Sequence, residues 1–268
     1  MSCGPYSNQA EFIICVGTCI IICIGLPLTL VAIYALYSLV GKDNVAPIYV
    51  INLLISDLIQ FCCMIDWMAK PKDQKIDKIG IIFYGSSLTA SVCFMVCIAL
   101  ERYLVIACPL WYRFRRTIKI SVVVCVLVWV ISLAICFTLV FWYIPECSVI
   151  ILASFFFLPL PLIIFFLVGT LKVLSASISV PADVKRRTVA MLVLVLLIYT
   201  LLFLPMIILL LKKHDDRALR NLSHVFLRLS PLADLVLYVF MRKGVIDKFL
   251  ACVCCCRMDS SDDTSSTV

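Results

Sequence analysis

The stretch IGIIFYGSSLTASVCFMVCIALERYLVIACPLWYR runs from Ile79 to Arg113. It carries no charge from Ile79 to Leu100 and then sets Glu101 directly beside Arg102. A charge at the middle of a bilayer costs roughly 2.5–3.5 kcal/mol on insertion scales. An adjacent pair therefore marks a membrane edge, or a function that justifies the cost. The run before the pair has the roughly 20 apolar residues that a spanning helix needs. It is continuous rather than alternating, which fits helix and not the strand of a barrel.

The rest of the chain repeats this pattern. Of 268 residues, 64% are hydrophobic and only 15% charged, with a mean hydropathy of +1.13. Soluble domains sit nearer 45–50% apolar and about 25% charged, so the excess points to lipid as the solvent. Seven segments qualify as spans: Phe12–Leu39, Ala46–Met68, Ile79–Leu100, Ile120–Tyr143, Val149–Leu171, Thr188–Leu211 and Leu222–Met241. The expected fold is an all-α seven-transmembrane helix bundle. It is divided into an extracellular N-terminus at 1–11, the bundle at 12–241, a short amphipathic cytoplasmic helix at 242–256 and a disordered cytoplasmic tail at 257–268.

Charge sets the expected orientation. Lys42, Arg113, Arg115, Arg116, Lys119, Lys185, Arg186, Arg187, Arg242, Lys243, Lys248 and Arg257 fall on one side. Lys70, Lys72, Lys75, Lys78, Lys212 and Lys213 fall on the other. The excess favours an extracellular N-terminus and a cytoplasmic C-terminus, as in a multi-pass protein of the plasma membrane. The net charge of +7 then follows from membrane topology, with no nucleic-acid partner implied. MSCGPYSNQAEF lacks the basic region of a cleaved signal, so the first span is expected to serve as its own insertion signal. With such short connections, a ligand would be met by helices and short loops.

Most of the sixteen cysteines lie inside predicted spans, where Cys acts as a small apolar residue. Cys3 and Cys147 fall on the oxidising side and could bridge. After the last span, Val245, Ile246, Phe249, Leu250 and Val253 share one apolar face, as in a helix lying on the bilayer surface. Cys252, Cys254, Cys255 and Cys256 follow, placed as palmitoylation acceptors are. Their spacing suits a tetrahedral metal site poorly.

Polar residues within spans are the most informative. Asp57 and Asp234 fall near the expected midplane, and such carboxylates usually face the bundle interior. Together with Ser91 they offer an oxygen site for a hard cation, with Na⁺ the candidate metal and no other cofactor implied. Two protonated, hydrogen-bonded carboxyls are the alternative. Arg228 lies in the outer half of the last span, one turn from His224 on the same face. It could meet an anionic ligand or pair with Asp66. Pro205 in the sixth span removes a backbone hydrogen bond and is a hinge candidate. Pro159 and Pro161 make the fifth span irregular for the same reason.

Several of these residues fall into a known pattern. Glu101-Arg102-Tyr103 resembles the (D/E)RY motif of the rhodopsin-like (class A) G-protein-coupled receptors, with Pro109 following. Asn52, Leu53, Ser56, Asp57 and Leu58 resemble that family's NLxxSDL. Trp129 is similar to its fourth-helix tryptophan, Pro205 to its sixth-helix proline, and Asp234 with Tyr238 to its (N/D)PxxY. The resemblance implies that Glu101 holds Arg102 at rest. Outward movement of the sixth helix then frees Arg102 for the Gα subunit of a heterotrimeric G protein. It also implies that Ser260, Ser261, Thr264, Ser265 and Ser266 can serve receptor kinases and arrestin. Ser266-Thr267-Val268 is similar to a C-terminal ligand of PDZ domains.

The chain departs from the pattern at Thr29, where the family has asparagine, and at Leu235, where it has proline and where the helix is expected to be straighter. Phe203 takes the place of the toggle tryptophan. Leu167 and Gly169 lie near the usual fifth-helix tyrosine. Lys185 stands where many members carry an acid, so a second lock from Arg102 to the sixth helix cannot form, and a less secure closed state is expected. Tyr84 occupies the third-helix position that amine receptors fill with Asp, which disfavours an amine ligand. The expected pocket residues are Tyr84, Asp66, Phe203, His224 and Arg228. PLWYRFRR resembles the Mas-related receptors, while the sixth and seventh helices resemble equally the peptide, nucleotide, proton and lipid-mediator branch. The alternative to a coupled receptor is a non-signalling seven-helix protein that binds or scavenges its ligand. A pump is disfavoured because Leu222–Met241 holds no lysine, and no nucleophile–base pair suggests an enzyme.

Overall fold

A computed structural model describes residues 9–40, 47–69, 74–108, 118–141, 145–176, 182–211 and 217–241. Among them are eight helices: α1 (Gln9–Val40), α2 (Pro47–Ala69), α3 (Gln74–Ala107), α4 (Ile118–Phe141), α5 (Pro145–Phe157), α6 (Pro159–Ala176), α7 (Ala182–Leu211) and α8 (Arg217–Met241). They make seven spans of 22 to 32 residues, α5 and α6 sharing the fifth. No strand occurs among the described residues. Lipid offers no partner to a backbone N–H or C=O, so a helix that satisfies its own is the form these runs must take.

The helices do not keep to the sequence-based bounds, and two spans show the physical reason. α3 extends beyond Ile79 and Leu100 at both ends, so Glu101 and Arg102 lie inside a helix that runs on to Ala107. A charge change marks where lipid ends, not where helix ends. The fifth span breaks at Leu158, whose N–H bonds Ser154 O at 2.9 Å. Pro159 and Pro161 lack an N–H, so neither can bond the carbonyl four residues back.

α3 is the central helix and packs against α2, α4, α6 and α7, while α8 closes the ring against α1, α2 and α7. The core is built on Leu53, Leu54, Phe94, Met95, Ile98, Leu192, Tyr199 and Leu202, all buried. α4 shows how lipid-facing and core-facing residues divide. Val123, Val126, Leu127 and Val130 are exposed to the outside of the bundle, and its buried positions are Ser121, Cys125, Ser132 and Cys136. Small residues on a membrane-helix face let backbones approach closely. Cys136 Sγ lies 3.1 Å from where a Cβ on Gly85 would sit, and 3.8 Å from Thr89 Oγ1. Trp129 Nε1 donates to Asn52 Oδ1 at 3.2 Å, joining α4 to α2.

Candidate functional site

Halfway along the bundle, Asp57 on α2, Ser91 on α3 and Asp234 on α8 meet, each fully buried. Ser91 Oγ donates to Asp234 Oδ2 at 3.1 Å. The carboxyl groups of Asp57 and Asp234 lie within electrostatic reach of each other. Both oxygens of Asp57 and Oδ1 of Asp234 have no hydrogen-bond donor. Thr29 Oγ1 on α1 and Ser230 Oγ, one turn before Asp234 on α8, are also buried and unpartnered. Ionised carboxylates only accept hydrogen bonds, and a buried charge requires a counter-charge. The site therefore needs a proton or a cation, and its all-oxygen donor set suits a hard ion. Gln60, one turn along α2 from Asp57, is fully buried with both ends of its amide unpartnered. An uncharged amide within a span gives a weaker signal than a carboxylate, and the sequence reading passed over it.

At one end of the bundle α3 presents Glu101, buried, then Arg102 and Tyr103, half-buried. Tyr103 stacks on Phe166 of α6, with ring centroids 5.7 Å apart. It also lies over Gly169, where an added Cβ would sit 2.7 Å from Tyr103 Cε2. The glycine near the family's tyrosine position thus makes room for the tyrosine of α3. On the same end, Lys185 Nζ donates to Leu174 O at 2.9 Å. Lys185 engages α6, a partner that the sequence reading did not consider. Tyr238, on α8, packs half-buried against the core.

At the opposite end Arg228 Nη1 donates to Thr18 Oγ1 of α1 at 2.8 Å. Tyr84 lies within electrostatic reach of Arg228 and rests against Trp67, with centroids 5.0 Å apart. Asp66 is half-buried and His224 exposed. Phe203 is fully buried, stacked on Phe156 at 5.4 Å and against Tyr199 at 4.9 Å. Pro205 sits inside α7.

The family profile described as 7 transmembrane receptor (rhodopsin family) matches residues 28–236. The chain belongs to the rhodopsin family of seven-transmembrane receptors. It is 30% identical over 117 residues to the G-protein coupled receptor 68 of Mus musculus, covering 41% of this chain and 32% of that one. It is 27% identical over 120 residues to the type-1 angiotensin II receptor of Oryctolagus cuniculus, covering 42% and 33%. The chain thus spans about a third of the length of the curated relatives it matches. The family is one of receptors rather than enzymes, and seven spans make this member a multi-pass membrane protein.

Against that family background, two features went unread in the sequence. Cys15 near the start of α1 is disulfide-bonded, and Cys19, Cys23, Cys62, Cys63, Cys93, Cys97, Cys108, Cys125 and Cys136 are free thiols. The partner of Cys15 is therefore none of these nine. Pro231 lies inside α8, three residues before Asp234, so the helix expected to be straighter at Leu235 has a proline one turn earlier. The glycosylation sequon Asn221-Leu222-Ser223, expected from the sequence to lie too close to the membrane for use, is helical, with Ser223 buried and its hydroxyl donated to Leu219 O at 2.8 Å. Cys3, the segment 242–256 with Cys252, Cys254, Cys255 and Cys256, and the tail 257–268 lie outside the described residues. So does the side chain of Cys147, although its backbone is in α5.

Proposed function

We propose that this receptor sits in the plasma membrane with its N-terminus outside, and couples an extracellular ligand to a heterotrimeric G protein. The observation that carries this is the family match across the bundle, with Glu101-Arg102-Tyr103 in the last two turns of α3 on the side that holds most basic residues. Arg102 is the residue that would meet Gα once α7 moves outward about Pro205. A ligand need only bind the open bundle better than the closed one. Arg228 and His224 at the outer end, with Lys212, Lys213, Arg217 and Arg220 nearby in sequence, favour an anionic, lipid, nucleotide or peptide ligand. The similarity to a receptor named for angiotensin II supports the peptide class.

Asp57, Ser91 and Asp234 would hold an allosteric Na⁺, which neutralises the carboxylate pair when bound. The residues themselves tie α2, α3 and α8 together around it. Palmitoylation at Cys252, Cys254, Cys255 and Cys256, a disulfide from Cys15 to Cys3 or Cys147 in place of a Cys3–Cys147 bridge, arrestin and kinases at the tail, and a PDZ partner at Val268 complete the reading.

The test expresses wild type and Arg102→Ala at matched surface levels and records activation of each Gα class. A class activated by wild type and not by the variant supports coupling. Equal background signals, together with normal uptake of a bound ligand, would favour the scavenging alternative.

A further inference from the structure

Two hydrogen bonds tie the sixth span to the fifth, and both run the same way. Tyr199 of α7 donates its hydroxyl to the carbonyl of Phe156. Lys185 of α7 donates its ammonium to the carbonyl of Leu174. Each acceptor lies in the last turn of its helix, α5 for Phe156 and α6 for Leu174. A helix leaves its last four carbonyls without an intrahelical donor. The break at Leu158 creates such an end inside the membrane, where water cannot supply the donor. At the end of α6, the partial negative charge of the helix C-terminus favours a cation.

We propose that these two bonds form a paired clamp that holds α7 against the fifth span in the resting receptor. Tyr199 and Lys185 act as positioning residues for the coupling switch, and the clamp's role in signalling rests on the coupling reading above. The two donors stand about four helical turns apart on α7, which fixes both its position and its rotation. Tyr199 is fully buried and packs on Phe203, which stacks in turn on Phe156. A displacement of Phe203 from the ligand side therefore disturbs the donor and the acceptor together. Lys185 sits at the Arg102 end, where an acid would have held Arg102, and it secures the same helix to a different neighbour. When α7 swings out, partly exposed Lys185 recovers its bond from water. The Tyr199 hydroxyl is left in an apolar interior and has the larger penalty on opening.

The experiment places spectroscopic labels at Lys172 on α6 and Arg186 on α7, both exposed at the Arg102 end. The distance between them is measured in purified full-length receptor without G protein. Tyr199→Phe keeps the ring and removes the hydroxyl. It is expected to raise the longer-distance population about fivefold, the scale of one net hydrogen bond. Lys185→Gln is expected to raise it about twofold, and Lys185→Arg, which retains a cationic donor, to leave it unchanged. An unchanged distribution in Tyr199→Phe, or equal widening in Lys185→Gln and Lys185→Arg, overturns the clamp. If Tyr199→Phe does not reach the membrane, the two Lys185 variants decide. Because no G protein is present, widening without activation of any Gα class would keep the clamp and remove the coupling reading. Activation with an unchanged distance would do the reverse.

Discussion

At the scale of single residues, Asp57 and Asp234 place two fully buried carboxyls within electrostatic reach of each other, with three of their oxygens lacking a donor. Two like charges in an apolar interior cannot both persist without a counter-charge. We therefore expect Na⁺, compared with choline at equal ionic strength, to raise the thermal midpoint of the purified receptor, and Asp57→Asn to abolish the increase. The same Na⁺ response in Asp57→Asn would place the cation elsewhere. Gly25 sets a steric condition of the same strictness. A Cβ there would overlap Phe61 Cζ and lie 3.1 Å from Leu232 Cδ2, both pressing on α1. Overpacking of this kind costs roughly 1–3 kcal/mol, so Gly25→Ala should unfold at lower temperature in detergent. Phe61→Leu in the same chain should restore part of the loss.

At the scale of elements, what the sequence discloses depends on the kind of partner. Spans were legible because apolar length is a property of the run itself, as in Ile79–Leu100. The meeting of Asp57, Ser91 and Asp234 was legible because polar residues in lipid must turn inward. Lys185 was not. Its sequence position shows only that an acid is missing, whereas its partner is a backbone carbonyl, a group every residue carries. Cys15 was missed because its place within an apolar run made it look like the other helical cysteines. The break at Leu158 was half legible, since Pro159 and Pro161 announce irregularity without saying which neighbour fills the gap. The α3–α6 contact yields a prediction. Gly169→Ala should push Tyr103 off Phe166 and destabilise the receptor by roughly 1–3 kcal/mol, while Tyr103→Phe keeps the stack and should leave stability nearly unchanged. Thermal unfolding of both variants in detergent checks this.

At the scale of the whole molecule, a polar core, an α3 terminus bearing Glu101 and Arg102, and a clamp on α7 lie along one bundle. Each is arranged about a helix that the others must release or admit. Orientation belongs to this scale. An epitope tag at the N-terminus should be reached by antibody on intact cells, and one at the C-terminus only after permeabilisation. The reverse labelling would place Arg102 outside and remove the coupling reading. The most direct measurement uses receptor reconstituted in lipid vesicles with a purified G-protein heterotrimer of each Gα class, following nucleotide exchange without ligand. The Tyr199→Phe, Lys185→Gln double variant should accelerate exchange on at least one class, and adding Arg102→Ala should return the rate to that of the heterotrimer alone. Exchange at the unassisted rate with the clamp removed, or acceleration that survives Arg102→Ala, would contradict the account.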